Sequence, residues 1–278
     1  MVTRLHRFKR LIVDATEFLC AGIFAFYMYL MRQKKQRVII YYHSIRDADS
    51  KGFERQISYL AKHYKVLSVT ELMESPLNNK EILVAITFDD GFVSVVEKGW
   101  SVLKKNGLRA TMFVPVGNLG QKPQWSIAAP LGGDRNEQVM SRQCVADLDR
   151  KGFEMLSHSF SHPILTELEH QKLQVELEQS RMVLEEIVGH KVSGIAYPQG
   201  ICNKQVVEAA RKAGYRYGFT VEAFTVDDSP SEMEIGRFIV KPHMSLMKLK
   251  LKVMGAYQVT SYLRKVKAFL LRQLKRKV

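Results

Sequence analysis

The sequence has few cysteines, no low-complexity tract and no internal repeat. Its three cysteines in 278 residues, Cys20, Cys144 and Cys202, are widely spaced. This number and spacing argue against a disulfide framework and a zinc knuckle, and they agree with a reducing compartment. With 46% hydrophobic and 25% charged residues, the chain has the composition of a globular protein that can bury a full core without cross-links.

Acidic residues are scarce at both ends of the chain. Residues 246–278 carry ten Lys and Arg and no acid, and residues 1–37 carry eight against Asp14 and Glu17. The two ends therefore contribute +10 and +6 to a net charge of +14, and residues 38–245 are close to neutral. A nucleic-acid binder would more often carry its basic face on the folded domain. The distribution instead favours contact of the two ends with an anionic membrane surface.

No charged residue interrupts residues 18–31, an apolar run with basic residues on both sides. As a helix this run would span ~21 Å, short of the ~30 Å hydrocarbon core. Extension back to Leu11 gives the length but includes Asp14 and Glu17, which are costly away from the interface. A signal peptide is less favoured because no small-x-small cleavage site follows. A helix lying in the interface and a short uncleaved anchor both remain open.

The basic C-terminal residues also show a pattern. From Val259 onward, apolar residues recur at helical spacing and basic residues fill the other face. A solvated surface helix usually mixes charge signs, so this pattern favours a helix on a membrane surface. We therefore expect a membrane-associating segment at 1–36, a globular domain at 37–245 and a basic amphipathic tail at 246–278.

Short apolar strands alternate with helical segments between these ends. This alternation predicts an α/β fold with parallel strands and right-handed crossovers, in a barrel or a doubly wound sheet. Function in such folds lies at the carboxyl ends of the strands. Residues 116–140 contain four glycines and are expected to form a long loop for substrate contacts. The predicted strands are Val38–Tyr42, Ile82–Phe88, Ala110–Val114, Glu154–Leu156, Gly194–Tyr197, Arg216–Val221 and Arg237–Val240.

Two adjacent carboxylates, Asp89 and Asp90, follow the predicted strand Ile82–Phe88. Burying both is costly because like charges repel and desolvation disfavours ionisation. A divalent cation would resolve this by neutralising one carboxylate and leaving the other as a base. An Asx-type turn, with Gly91 supplying the positive φ angle, is the simpler explanation of the same residues.

A histidine pair, His158 and His162, follows the predicted strand Glu154–Leu156. If this segment is helical, residues four apart share one face and both imidazoles reach one metal ion. Two histidines and a carboxylate would make a three-ligand site with positions open for water and substrate. Because this spacing also arises by chance, the prediction depends on the aspartate pair at the other strand end.

Three motifs in this order resemble the polysaccharide deacetylase family. They are T-F-D-D-G at 87–91, H-S-F-S-H-P at 158–163 and A-Y-P-Q-G at 196–200, with further similarity at 110–114 and 213–216. The resemblance covers roughly residues 37–242. It implies a distorted (β/α) barrel and hydrolytic N-deacetylation of an amino sugar in a saccharide.

The resemblance also implies a role for each matching residue. Asp89 would be the general base, and the metal would polarise the acetamide carbonyl and activate water. A backbone N–H at Gln199 would stabilise the oxyanion, in a loop shaped by Pro198. The family implies one divalent ion, with zinc favoured over cobalt, nickel or manganese. Its ligands would be Asp90, His158 and His162.

The chain departs from the family pattern in two places. Many members begin the third motif with an arginine that orients the catalytic aspartate, and here that position is Ala196. Another group must then hold Asp89, and we suggest Arg237 at the start of a late strand. The late histidine acid also lacks a clear counterpart. His243 lies nearby without the usual apolar pattern, whereas His43 resembles the early histidine of permuted, exopolysaccharide-type members and is the better candidate, unless it is a capping or core histidine.

These features predict an N-deacetylase of a polysaccharide or lipid-linked saccharide, located at a bacterial-type inner membrane, with the cytoplasmic face favoured over the other. Two alternatives remain. One is a catalytically silent relative that binds glycan or acts as a membrane scaffold, and the loss of arginine at Ala196 is the feature that suggests it. The other is a deformylase of a lipid-linked amino sugar. Nucleic-acid binding is not expected, because the charge pattern gives no sign of a folded platform for bases.

Overall fold

The computed structural model describes residues 16–26, 36–76, 81–125 and 137–263. The strands are β1 (Gln36–Tyr42), β2 (Lys65–Leu67), β3 (Ile82–Phe88), β4 (Thr111–Val114), β5 (Glu154–Ser157), β6 (Gly194–Ala196), β7 (Tyr217–Phe219) and β8 (Phe238–Ile239). The helices are α1 (16–26), α2 (Ser50–His63), α3 (Val69–Glu74), α4 (Trp100–Lys105), α5 (Arg142–Arg150), α6 (His170–Val188), α7 (Lys204–Lys212), α8 (Leu246–Val253) and α9 (258–263).

All of these strands run parallel in one curled sheet. Its order is β7-β6-β5-β4-β3-β1-β8, with β2 also paired to β3. At one edge Phe219 forms a bridge to Ile235, and at the other β8 pairs with Ile40 and Tyr41. Residues 235–239 therefore connect the two edges and nearly close the sheet. This architecture confirms the predicted distorted (β/α) barrel.

The apolar composition of the strands follows from burial on both faces. Every residue of β3 after Ile82 is buried, and so is every residue of β1 except Arg37. One face of each strand points into the barrel and the other lies under helices, so neither face needs polar side chains. Because parallel strands point the same way, the loops after β1, β3, β5 and β6 all leave the barrel at one end, where polar residues gather.

Parts of both predicted membrane-associating ends pack against the barrel. Ala21 and Ala25 of α1 are buried in the common core, and so are Leu249 and Val253 of α8. Helical packing therefore continues beyond residue 245, the predicted limit of the globular domain. Among the described residues, no helix has the length and apolar character needed to cross a bilayer.

Most predicted elements are confirmed, with shifts at their ends. The sequence also predicts helices over Val93–Asn106 and Thr166–Val188. The first contains a π-helical turn at Val95–Gly99 before α4, and the second begins at His170. All three cysteines are unpaired. Residues 126–136 of the predicted loop lie outside the described residues, as do residues 1–15, 27–35 and 264–278 of the chain ends.

Candidate metal centre and active site

The predicted site residues follow four different strands at the carboxyl end of the barrel. His43 comes directly after β1, and the aspartate pair follows β3. The histidine pair follows β5, and Pro198 with Gln199 follows β6. Because these strands are parallel and close together in the sheet, residues far apart in sequence share one end of the fold.

A tight turn separates the two aspartates. The N–H of Asp89 donates to the carbonyl of Tyr42 (3.0 Å), so Asp89 still belongs to the β1–β3 ladder. Asp90 (φ 70°) and Gly91 (φ 63°) then adopt left-handed conformations, and Gly91 supplies the predicted positive φ. Asp90 adopts a conformation that few non-glycine residues take, and such strain is common at functional sites. The turn and the proposed site are therefore compatible explanations of the same residues.

The histidine pair lies on a loop, and the helix considered for His158–His162 is wrong. Ser159 (φ 65°) and His162 (φ 64°) have left-handed backbones that no α-helix allows. The Ser159 hydroxyl accepts from the His162 N–H (3.1 Å), and the Gly117 N–H donates to the Phe160 carbonyl (2.8 Å). The two imidazoles nevertheless meet, with ring centroids 4.8 Å apart. The left-handed residues of the loop bring the two rings together, as a helix with this spacing would also have done.

Three ligand atoms converge on one point. Asp90 Oδ1 lies 3.5 Å from His158 Nε2 and 3.3 Å from His162 Nε2, and all three side chains are buried. Ligands at 2.0–2.1 Å around a tetrahedral zinc ion lie ~3.3 Å from one another. Asp90 Oδ1 also has no hydrogen-bond partner among the described residues, although a buried carboxylate oxygen normally has one. This donor set fits a divalent metal ion.

Neighbouring groups orient both histidines. His158 Nδ1 lies 2.8 Å from the Ala196 carbonyl, which leaves Nε2 free to face Asp90. Such a hydrogen bond fixes the tautomer of a metal-ligating histidine. The indole of Trp125 stacks on His162 at a centroid distance of 4.3 Å and an angle of 20°. The sequence analysis missed Trp125, and its position in a glycine-rich loop gave no periodic signal that could have identified it.

Asp89 is held by Arg237, as suggested. Arg237 Nη1 donates to Asp89 Oδ1 (2.7 Å) and Nη2 donates to Oδ2 (2.9 Å), in a bidentate pair that only a guanidinium can make. Arg237 precedes β8, so its side chain reaches Asp89 from the strand on the far side of β1. Arg237 therefore orients Asp89 in place of the motif arginine, whose position is Ala196 in this sequence.

The surroundings of Arg237 fix its position. Its side chain is completely buried, and its Nε donates to the Thr220 carbonyl (3.0 Å). The guanidinium carbon lies over the rings of Tyr41 (4.6 Å) and Phe113 (5.0 Å). Cation–π contacts and the carboxylate together compensate a charge that would otherwise be costly to bury. The arginine is therefore rigid, and so is the carboxylate it holds.

The electrostatic environment keeps both carboxylates ionised. Burial alone would raise the pKa of Asp89, but the Arg237 guanidinium and His158 hold it below its usual range. Burial also opposes ionisation of Asp90, and the nearby imidazoles of His158 and His162 hold its pKa well below the usual range. His43 lowers both pKa values by a smaller amount. Two anionic oxygen donors at one strand end suit a cation.

His43 and Gln199 differ in how they are presented. His43 is half-buried with its ring edge-on to Tyr41, and its Nδ1 has no hydrogen-bond partner among the described residues. Gln199 (φ 57°) follows the buried Pro198 in a tight turn after β6. His243, the other histidine considered, is largely exposed and pairs with Asp49 at 3.5 Å. The structure thus places His43, and not His243, beside the aspartates.

Comparisons with known proteins identify the family that this chain resembles. The family model described as polysaccharide deacetylase matches residues 77–218. YxkH of Bacillus subtilis (strain 168), named for the same family, is 27% identical over 216 residues, which are 74% of this chain and 72% of YxkH. The poly-β-1,6-N-acetyl-D-glucosamine N-deacetylase of Staphylococcus aureus (strain MRSA252) is 26% identical over 200 residues, which are 68% of this chain and 66% of that enzyme.

Solved structures share the fold. The Streptococcus pyogenes deacetylase PplD, in complex with acetate, superposes with a TM-score of 0.66 at 21% identity, covering 79% of this chain and 98% of PplD. IcaB from Ammonifex degensii superposes with a TM-score of 0.65 at 21% identity, covering 81% of this chain and 97% of IcaB. At such identity the likeness concerns the barrel and not the substrate.

The cluster predicts binding of one divalent ion per chain. We expect zinc to bind the wild-type protein. Mutation of a residue that only hydrogen-bonds to a metal ligand typically lowers metal affinity ~10–100-fold. Asp90→Asn removes a ligand itself, so we expect a larger loss of affinity. Competition with a chromophoric chelator measures the affinity. His190→Gln is the control, because His190 also contacts a carboxylate, Asp149, but lies on the surface. Equal affinity of Asp90→Asn and His190→Gln would contradict the assignment.

Proposed function

This chain belongs to the polysaccharide deacetylase family, and from this premise we propose that it is a metal-dependent hydrolase that removes N-acetyl groups from an amino sugar. The proposed substrate is a polysaccharide or lipid-linked saccharide at a membrane. One observation carries the proposal. The three-ligand cluster lies beside a second carboxylate, Asp89, that is ionised and held by Arg237. A ligand set next to an oriented base is the arrangement that amide hydrolysis requires.

The proposed ligands of the ion are Asp90, His158 and His162. A divalent ion held there would polarise the acetamide carbonyl and lower the pKa of a water molecule at the site. With three protein ligands the site retains open positions, as catalytic zinc sites do. Zinc is the proposed ion because two imidazoles and one carboxylate suit it, and cobalt, nickel or manganese are the alternatives.

Asp89 is the proposed general base. Its carboxylate would remove a proton from the attacking water, and Arg237 would keep both oxygens in place during the transfer. The low pKa of Asp89 keeps the carboxylate ready to accept a proton at neutral pH. Asp90 cannot share this role, because the histidines surround it and its proposed function is to bind the ion.

His43 is the proposed general acid. It would give a proton to the amine nitrogen as the carbon–nitrogen bond breaks, so acetate and a free amino sugar result. Its half-buried position beside the aspartates and its unpartnered Nδ1 support this role. The backbone N–H of Gln199 is the proposed donor to the developing oxyanion, in the turn that Pro198 begins.

The proposed substrate rests on the relatives and on the charge of the chain ends. A relative with 26% identity is named for action on poly-β-1,6-N-acetyl-D-glucosamine, a polymer of an N-acetylated amino sugar. The ends of this chain are basic and the domain between them is nearly neutral, which supports a substrate presented at an anionic surface. We propose the inner membrane of a bacterial-type cell as that location, with its cytoplasmic face favoured.

Acetate release tests the central proposal. We expect purified protein loaded with zinc to release acetate from N-acetylglucosamine oligomers or their lipid-linked forms. A chelator should abolish release, and Asp89→Asn should reduce kcat by about 10²–10⁴-fold, the usual contribution of a general base. Glu176→Gln is the matched control, because Glu176 is a carboxylate that accepts from Ser161, beside the histidine loop.

Other outcomes of this assay would change the proposal. Release of formate but not acetate from the corresponding N-acyl sugars would favour the deformylase. Bound zinc with no release of either acid, or no metal binding at all, would favour the silent glycan-binding relative. Equal activity of Asp89→Asn and wild type would contradict the role of Asp89 as base.

Arg237→Lys tests the positioning of Asp89. Lysine retains the positive charge but offers one donor point where the guanidinium offers two, so the carboxylate loses its fixed orientation. We expect kcat to fall by about 10–100-fold while KM and zinc affinity stay near wild type. Arg216→Lys is the control, because Arg216 also precedes a strand and lies over an aromatic ring, Tyr217, at 4.9 Å. Similar kcat values for the two variants would argue against a positioning role.

His43→Gln tests the general acid. We expect about 10²–10⁴-fold slower release of acetate from the sugar amide, because the amine leaves poorly without a proton. Hydrolysis of p-nitrophenyl acetate should fall much less, since its leaving group needs no protonation. His63→Gln is the control, because His63 also contacts a tyrosine ring, that of Tyr59, at 4.4 Å. An equal loss on amide and ester would contradict the assignment.

A further inference from the structure

Helix α1 is fastened to the barrel along one face. Ala21 and Ala25, one turn apart, are buried in the common core, and Phe24 packs against it. Glu17 interacts with Lys252 of α8, whose ammonium also lies over the ring of Tyr257 at 4.1 Å. A helix with one face in a protein core cannot be surrounded by lipid along the same length. The described part of α1 therefore lies along the domain.

The opposite face of α1 is apolar and exposed. Leu19, Ile23 and Phe26 recur at positions i, i+4 and i+7, so they share one face of the helix. Each of them is 63–64% exposed. The two most buried side chains of α1 are thus alanines, and three large apolar ones face outward, where an ordinary surface helix is polar. We call Leu19, Ile23 and Phe26 the α1 outer face.

A lysine of α8 lies next to helix α1. Lys248 Nζ lies 5.8 Å from the ring centroid of Phe18, which is also exposed. Met247, next to Lys248 on α8, is another exposed apolar side chain. The sequence has no acidic residue after Glu234, so the C-terminal helices contribute only positive charge. Large apolar side chains next to cationic ones match the acyl chains and anionic headgroups of a bilayer.

The same charges argue against a second copy of the chain as the occupant. A two-fold dimer would place this surface against itself, and lysines would then face lysines, because Glu17, the one acid of α1, already interacts with Lys252. An anionic bilayer removes that repulsion and accepts the apolar side chains at the same time. Lipid is therefore the occupant that agrees with both the apolar character and the charge.

We propose that the α1 outer face inserts into the headgroup and acyl boundary of an anionic bilayer, with α1 lying parallel to the membrane plane and packed on the barrel. The enzyme domain is then held against the membrane through its own fold, whether or not other parts of the chain also bind lipid. This surface is separate from the metal cluster, so its function can be tested without reference to the reaction.

Vesicle flotation with the full-length protein tests the proposal. We expect binding to vesicles of phosphatidylcholine with 30% phosphatidylglycerol, and weak binding to pure phosphatidylcholine. The double variant Leu19→Ser and Ile23→Ser should bind the anionic vesicles at least about tenfold more weakly, because it removes two large apolar side chains from the face that inserts into the bilayer. Tryptophan fluorescence and thermal unfolding establish that this variant remains folded.

A matched control uses exposed apolar residues elsewhere. Val175 and Met182 lie on α6 and are 48% and 69% exposed, so Val175→Ser with Met182→Ser removes similar surface. This control should bind vesicles as wild type does. Equal vesicle binding by the α1 variant and the control would overturn the proposal and assign binding to other parts of the chain. A dimer in solution that the α1 variant alone abolishes would overturn it in favour of a second copy.

Discussion

Two neighbouring carboxylates are buried at the end of β3, and each needs its own cationic partner. Asp89 obtains the guanidinium of Arg237 through two hydrogen bonds of 2.7 and 2.9 Å. Asp90 faces only the ring nitrogens of His158 and His162, and its Oδ1 has no hydrogen bond within the described structure. The remaining demand for positive charge is what a metal ion would supply. The two carboxylates therefore have different partners: Arg237 for Asp89, and the histidine pair with a metal ion for Asp90.

Closure of the barrel places Arg237 next to Asp89. Residues 235–239 connect the edges of the sheet, and Arg237 lies within this segment, where Tyr41 and Phe113 enclose its guanidinium. A buried arginine is destabilising unless it is fully paired, so the fold has to place it accurately. Once it is placed, Asp89 is rigid and ionised. The histidine loop and the turn at Gln199 follow strands at the same end of the barrel.

Sequence reasoning recognised local patterns but did not determine the backbone conformation of the histidine pair. One apolar strand is followed by Asp89 and Asp90, and another by His158. These positions indicated the site, because functional residues gather at the ends of strands in parallel sheets. The helix suggested for the histidine pair was wrong, since spacing of four fits a helix and also a loop with left-handed residues at Ser159 and His162. Positive charge alone also did not reveal that Leu249 and Val253, beyond residue 245, are core residues.

The sequence by itself determined the alternation of strands and helices, the residue types at the strand ends and the basic character of both chain ends. These properties are periodic or compositional, so neighbouring residues encode them. Tertiary structure decided which arginine holds Asp89, across a separation of 148 residues, and which face of α1 is exposed. Both depend on barrel closure and helix packing, which bring distant residues into contact and leave no periodic signal in the chain.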